Sequence, residues 1–107
     1  MSAAQVIANY EALATLTRQM QGAAQSAEWD VLIAFEQQRS ELIAAMKPLD
    51  AETMLDEGTR HRKNEIISRV LSLDAEIRKL VKAWMDECDL SMQSNLQERR
   101  LLREYGR

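Results

Sequence analysis

The stretch Arg62 to Cys88, RKNEIISRVLSLDAEIRKLVKAWMDEC, contains neither glycine nor proline. Ile66, Val70, Leu73, Ile77, Leu80 and Trp84 recur in it at alternating steps of four and three, the apolar stripe of an amphipathic helix. A second row, Ile67, Leu71, Val81, Met85 and Cys88, lies beside the first at about 100° per residue. The combined stripe is wider than a two-helix seam needs. Such a helix wants more than one neighbour, or a neighbour and a partner protein. At a rise of 1.5 Å per residue it is roughly 40 Å long, so only other long helices can cover it.

The rest of the chain supplies them. Ser2 reads as an N-cap with Gln5 as its capping-box partner. Val6, Tyr10, Leu13, Thr17, Met20 and Ala24 then step by four and three, which predicts a first helix over 3–24. Ser26 reads as a second N-cap, with Glu28 and Asp30 in the following turn where the helix dipole favours acids. Trp29, Leu32, Phe35, Leu42, Ile43 and Met46 define a second helix over 27–46, ended by Pro48 because the residue before a proline is pushed out of the helical region. The turn between these helices is short enough to make them antiparallel neighbours. In the connection KPLDAETMLDEGT, Asp50 opens one short helical turn, Gly58 closes it, and Thr59 caps the long helix, expected over 60–89. Beyond Cys88 the apolar residues thin out, and a shorter, weakly held helix is expected over 94–104. With 107 residues the chain is one domain: an all-α antiparallel bundle of three long helices plus a short, mobile C-terminal one. Three glycines, one proline and 5% aromatic residues fit that architecture and leave few places to turn.

Two charged residues break the pattern. Arg39 falls near the middle of the second helix's apolar face, with Glu36 close to its edge, and Asp74 lies inside the stripe of the third. Antiparallel packing across 48–60 brings Arg39 and Asp74 to one level. A buried guanidinium needs a carboxylate, so an Arg39–Asp74 contact is expected, with Glu36 competing. The alternative has Arg39 snorkelling to the edge and pairing with Glu36 within its own helix.

The chemistry-bearing residues point away from catalysis. His61 is the single histidine, and Glu57 and Glu65, four residues to either side, allow one metal contact rather than the three or four a site needs. No metal or cofactor is expected. Cys88 has acidic neighbours and nothing to stabilise a thiolate, and as the single cysteine it excludes an internal disulfide. There is neither a glycine-rich phosphate loop nor a nucleophile elbow. The run Arg60–Lys63 is a short basic cluster, and a net charge of −3 argues against direct nucleic-acid binding. No apolar run approaches the ~20 residues of a membrane span, and the N-terminus lacks signal-peptide features, so a cytoplasmic protein is expected.

Glu28-Trp29-Asp30-Val31-Leu32, followed by Glu36 and Arg39, resembles the start of the second helix in FliT-type flagellar export chaperones. Residues 66–85, IISRVLSLDAEIRKLVKAWM, are similar to the long third helix of that family, with its Leu-Asp, Ile-Arg and Trp-Met at this spacing. Ala83 stands where relatives often carry a proline, which predicts a straighter end to the helix. The resemblance implies a small cytoplasmic helical protein without enzyme activity. It implies binding to the C-terminal region of the filament cap protein FliD, prevention of its early assembly, and delivery to the export ATPase and its associated factor. It also implies binding to FlhC, which keeps the FlhD–FlhC activator from class 2 promoters. The wide stripe fits a helix-in-groove binder. The partner-binding row is expected to be Ile67, Leu71, Arg78, Val81 and Met85, with Ile66, Val70, Leu73, Ile77, Leu80 and Trp84 facing the first two helices. The competing reading is a structural helical-bundle homodimer whose stripe serves self-association alone.

Overall fold

The computed structural model describes residues 2–91, 101 and 103–105, the side chains of 88–91 lying outside that description. Three long helices follow one another: α1 (Ala3–Gln25), α2 (Trp29–Glu52) and α3 (Glu57–Ser91). Residues 101 and 103–105 are also helical, and there is no strand among the described residues. The expected helix over 94–104 otherwise falls outside the described residues, as does any statement about the Cys88 side chain.

The ends of the helices follow local chemistry, partly in a different way from the sequence expectation. Ser2 caps α1 through Oγ, which accepts from the Gln5 amide at 3.2 Å. The Gln5 side chain does not complete a capping box; it donates to Asn9 Oδ1 instead. Ser26 is the C-cap of α1, not the N-cap of α2. The Ala27 amide reaches Ala24 O and the Glu28 amide reaches Ala23 O, the paired bonds of a Schellman turn. That turn needs a left-handed residue, and Ala27 supplies it at φ 55°. Glu28 then holds the N-cap position of α2 without a side-chain cap.

Pro48 does not end α2. The helix runs four residues further, to Glu52, and absorbs the short turn expected to open at Asp50. Pro48 is exposed and close to the C-terminal end, where the loss of one intrahelical bond is tolerated. The start of α3 is earlier than expected as well. Asp56, not Thr59, caps it: Oδ1 accepts from the Thr59 amide at 2.7 Å, and Gly58 lies inside the first turn. These bonds from Thr59 hold the Asp56 carboxyl below its ordinary pKa.

The middle element is α1. It packs against both α2 and α3, while the backbones of α2 and α3 do not come close to one another. Ala14, Ala23 and Ala24 are buried on α1 and let its neighbours approach closely. The core divides into two clusters. One joins Val6, Tyr10, Leu13 and Ala14 to Met46, Ile66 and Val70. The other joins Met20, Ala23 and Ala24 to Trp29, Leu32, Ile77, Val81, Met85 and Leu101. With α1 beneath and α2 and α3 as walls, the space between the two walls is closed by side chains and not by backbone contact; it is called the cleft below.

Candidate functional site

Side chains alone cross the cleft, at three levels. Trp29 and Trp84 meet with ring centroids 5.0 Å apart. Arg39 Nη1 donates to Asp74 Oδ1 at 2.5 Å. Lys63 Nζ stands 4.0 Å from Asp50 Oδ2. Steps from 29 to 39 to 50 along α2 are matched by steps from 84 to 74 to 63 back along α3, so the register is constant.

The middle crossing is a polar bar between the two core clusters. Arg39 is 9% exposed. Its Nη2 donates to Glu36 Oε2 at 2.9 Å, and Nη1 reaches Thr17 Oγ1 at 3.5 Å as well as Asp74. The expected interhelical pair is therefore present with Glu36 as a second partner, and Arg39 stays buried instead of snorkelling to the edge. Burial alone would lower the guanidinium's pKa, but the Asp74 hydrogen bond and the charges of Glu36 and Asp74 outweigh it, so the net shift is upward and the group stays charged. Arg39 Nε has no protein partner, which is a cost of the arrangement. The bar was visible in the sequence as polar residues on apolar faces; the part played by Thr17 on α1 was not, because a threonine in a helical stripe carries no such signal.

The crossing nearest the α2–α3 connection is a second polar node. Tyr10 Oη donates to Asp50 Oδ2 in a very short hydrogen bond, and Lys63 Nζ lies 5.4 Å above the Tyr10 ring. Burial, reinforced by the Asp50 hydrogen bond and charge, pushes the Tyr10 hydroxyl up to about 12. The Arg60–Lys63 run is used internally: Arg60 donates to Leu55 O, Arg62 pairs with Glu11 at 2.6 Å, and Lys63 faces Asp50. His61 pairs with Glu65 at the surface.

Between the bar and the tryptophan pair the cleft is occupied by the chain itself. Leu101 is fully buried among Leu32, Val81, Met85 and their neighbours. One turn on, Tyr105 Oη donates to Glu36 Oε2 at 3.0 Å, and Arg78 lies 5.9 Å from its ring. Burial first, then the neighbouring Glu36 carboxylate, raises the Tyr105 hydroxyl well above its ordinary pKa. The C-terminal segment is thus a plug with an aliphatic tooth and a hydroxylated aromatic one, four residues apart.

The five residues expected to bind a partner are not gathered on one open face. Val81 and Met85 are buried, and both belong to the cluster that holds Leu101. Arg78 is at the rim over Tyr105. Ile67 packs against the other core cluster, and Leu71 is 63% exposed. Of the row expected to face the first two helices, Ile66, Val70 and Ile77 are buried, whereas Leu73, Leu80 and Trp84 are half-buried. The buried line of α3 drifts from Ile66 and Val70 to Val81 and Met85, as a straight helix of 3.6 residues per turn must relative to a 3.5-residue repeat.

This geometry defines a small helical bundle whose α2–α3 seam holds Leu101 and Tyr105 of its own C-terminal segment. Among the described residues no group of three or more histidine, cysteine or carboxylate side chains could hold a metal ion, and no helix is long and apolar enough to cross a membrane. A family model described as "FliT: Flagellar protein FliT" matches residues 7–107, and the chain belongs to that family. The chain is similar to the flagellar protein FliT of Cronobacter sakazakii, with 26% identity over 101 residues that cover 92% of this chain and 82% of the relative. No solved structure matches the chain. Membership in the family supports a role as a flagellar export chaperone.

Proposed function

We propose that this protein binds the C-terminal region of the filament cap protein FliD, holds it unassembled, and brings it to the export ATPase and its associated factor. The binding site is the α2–α3 cleft above α1, with Val81 and Met85 deep on its α3 wall and Arg78, Leu71 and Ile67 further out along that wall. The observation that carries this reading is the seat of Leu101 and Tyr105, because a cleft that accepts one short helix of this chemistry accepts another. The chain's own segment then acts as an exchangeable cover. A ligand displaces such a cover only by binding the open form better. Contact with FlhC, and through it restraint of the FlhD–FlhC activator, belongs to the same reading; it is a protein contact and requires no basic nucleic-acid surface.

Titration calorimetry with the FliD C-terminal segment tests the proposal. Leu101→Ser, which weakens the cover, should tighten binding several-fold, and the helical content by circular dichroism should change little. Absence of binding to both the unaltered protein and Leu101→Ser would overturn the proposal. Concentration-dependent dimerisation of Leu101→Ser by analytical ultracentrifugation, with no FliD binding, would favour the homodimer instead.

A further inference from the structure

At the end of the bundle where α2 gives way to α3, a recess of about 480 Å³ opens to solvent. α3 contributes Arg60, Lys63 and Asn64 to it; the end of α2 and the connection contribute Asp50, Thr53, Met54 and Leu55. From Lys63 to the tryptophan pair at Trp84, α3 rises roughly 30 Å at 1.5 Å per residue, so the recess stands well apart from the cluster that receives Leu101.

The cations of this recess are placed but not satisfied. The Lys63 side chain is three-quarters buried, at 25% exposure. Its ammonium lies 5.4 Å above the Tyr10 ring and 4.0 Å from Asp50 Oδ2, too far for a hydrogen bond, and that oxygen already accepts from Tyr10. A lysine ammonium carries three donors, and among the described residues none of them is in a hydrogen bond. Arg60 is anchored by one bond, from Nη2 to Leu55 O at 3.2 Å, and the rest of its guanidinium can serve a second partner. Thr53 Oγ1, in the same wall, is buried without a protein partner. Polar groups short of protein partners that converge on one recess mark a binding site. Arg60 and Lys63 against Asp50 leave one positive charge in excess, and the acids nearest in sequence, Glu52, Asp56 and Glu57, do not line the recess.

We infer that this recess binds a carboxylate carried by a polypeptide: an aspartate or glutamate side chain with an apolar residue beside it. The charge sets the first part. One excess positive charge is balanced by a monoanion, and a planar carboxylate can take two bonds from a guanidinium and a third from Lys63 Nζ. Asn64 adds an amide donor. The Tyr10 ring and Asp50 already hold Lys63, so binding does not have to order it. The rim sets the second part. Met54 is 92% exposed, the most exposed of the large apolar side chains among the described residues, and Leu55 is next to it. An unbranched thioether adapts to apolar side chains of varied shape. The recess is open, not enclosed, so a side chain can enter while its backbone stays outside, whereas a small acid would be covered on too few sides. The site is separate from the cleft and does not depend on what the cleft binds.

The test follows backbone amide signals of the isotope-labelled full chain by nuclear magnetic resonance. The probes are the peptide amide acetyl-leucyl-glutamyl-leucine, its glutaminyl counterpart, and acetate. The glutamyl peptide should shift the signals of residues 53–55 and 60–64 saturably, and the other two probes should need at least about tenfold higher concentration. Arg60→Gln and Lys63→Gln should each weaken glutamyl-peptide binding about tenfold and bring it close to that of the glutaminyl peptide. Arg60 is exposed, so its variant keeps the test valid even where Lys63→Gln disturbs the packing around Tyr10. Leu101→Ser should leave the peptide's affinity for the recess unchanged. An equal response to the glutamyl and glutaminyl peptides, or no saturable shift at 53–55 and 60–64, would overturn the inference. Acetate bound as tightly as the glutamyl peptide would overturn the assignment to a polypeptide. None of these results bears on FliD binding in the cleft, which is read out by the calorimetry above.

Discussion

Asp74→Ala probes the bar that divides the cleft. The substitution removes the 2.5 Å bond from Arg39 Nη1 and leaves the guanidinium with Glu36 at 2.9 Å and Thr17 at 3.5 Å. A hydrogen bond to a charged group contributes about 1.5–3 kcal/mol, and breaking a fully buried pair from one side costs about 3–5 kcal/mol. Here the Asp74 side chain is 26% exposed and a second carboxylate remains, so the lower part of that span applies. The expected loss is about 2–3 kcal/mol in a urea titration, with a fall in Tm of about 8–20 °C for a domain of this size. Arg39→Met alone leaves two partly exposed carboxylates that water can reach, and should cost less. The double variant, Arg39→Met with Asp74→Ala, should recover part of the Asp74→Ala loss, since it also removes the charge that the single substitution leaves without its partner. Coupling between the two sites should then be about 1–2 kcal/mol. Effects that add to within about 0.5 kcal/mol would refute the reasoning, because residues bonded at this distance cannot be energetically independent if the bond contributes.

Alkaline stability should depend on Tyr10, whose folded pKa of about 12 lies above the ordinary 10.0. Its contribution is complete below pH 10 and is lost as pH rises through 12; Tyr105 shifts in the same direction, so Tyr10→Phe should reduce the loss, not abolish it, in far-ultraviolet circular dichroism between those pH values. Asp56 has the opposite sign: its depressed pKa stabilises the start of α3 at neutral pH, and amide exchange in residues 57–60 should quicken as pH falls through that pKa, or at once in Asp56→Ala. Ala27→Gly relieves the left-handed alanine and should raise stability by about 0.5–1 kcal/mol in denaturant titrations. Pro48→Ala restores an intrahelical donor and should raise Tm by several degrees.

The long helices were legible because their stripes are periodic and uninterrupted, and α3 in particular follows from Ile66, Val70 and Ile77. Two of the three boundaries that differ from the sequence expectation do so for one reason: geometry further along overrides a local rule. Pro48 looked terminal, yet one missing bond near the end of α2 does not stop the three residues after Leu49. Ser26 looked like an N-cap, yet the left-handed Ala27 turns it into a C-cap, and no side chain announces a left-handed alanine. The central position of α1 was hidden because its contact surface is built partly from Ala14, Ala23 and Ala24, whose small side chains leave a weak apolar signal. The site was legible as charge in the wrong place, at Arg39 and Asp74. It was not legible as a cleft, because the plug joins residues 32 and 101, far apart in sequence and linked by no shared periodicity.

The protein's two tryptophans, Trp29 and Trp84, form one tilted pair at 39°, and the cluster they belong to is the one that receives Leu101. The whole indole signal of the molecule therefore originates at one end of the cleft. Rings this close couple their electronic transitions, so their circular dichroism carries an exciton band whose sign and size depend on the angle between them. Leu101 belongs to the same core cluster as Trp29, so its release should change the packing around that pair. Occupancy of the cleft can thus be followed in the unlabelled protein by optical spectroscopy, on the timescale of stopped flow, with no dye attached to either partner.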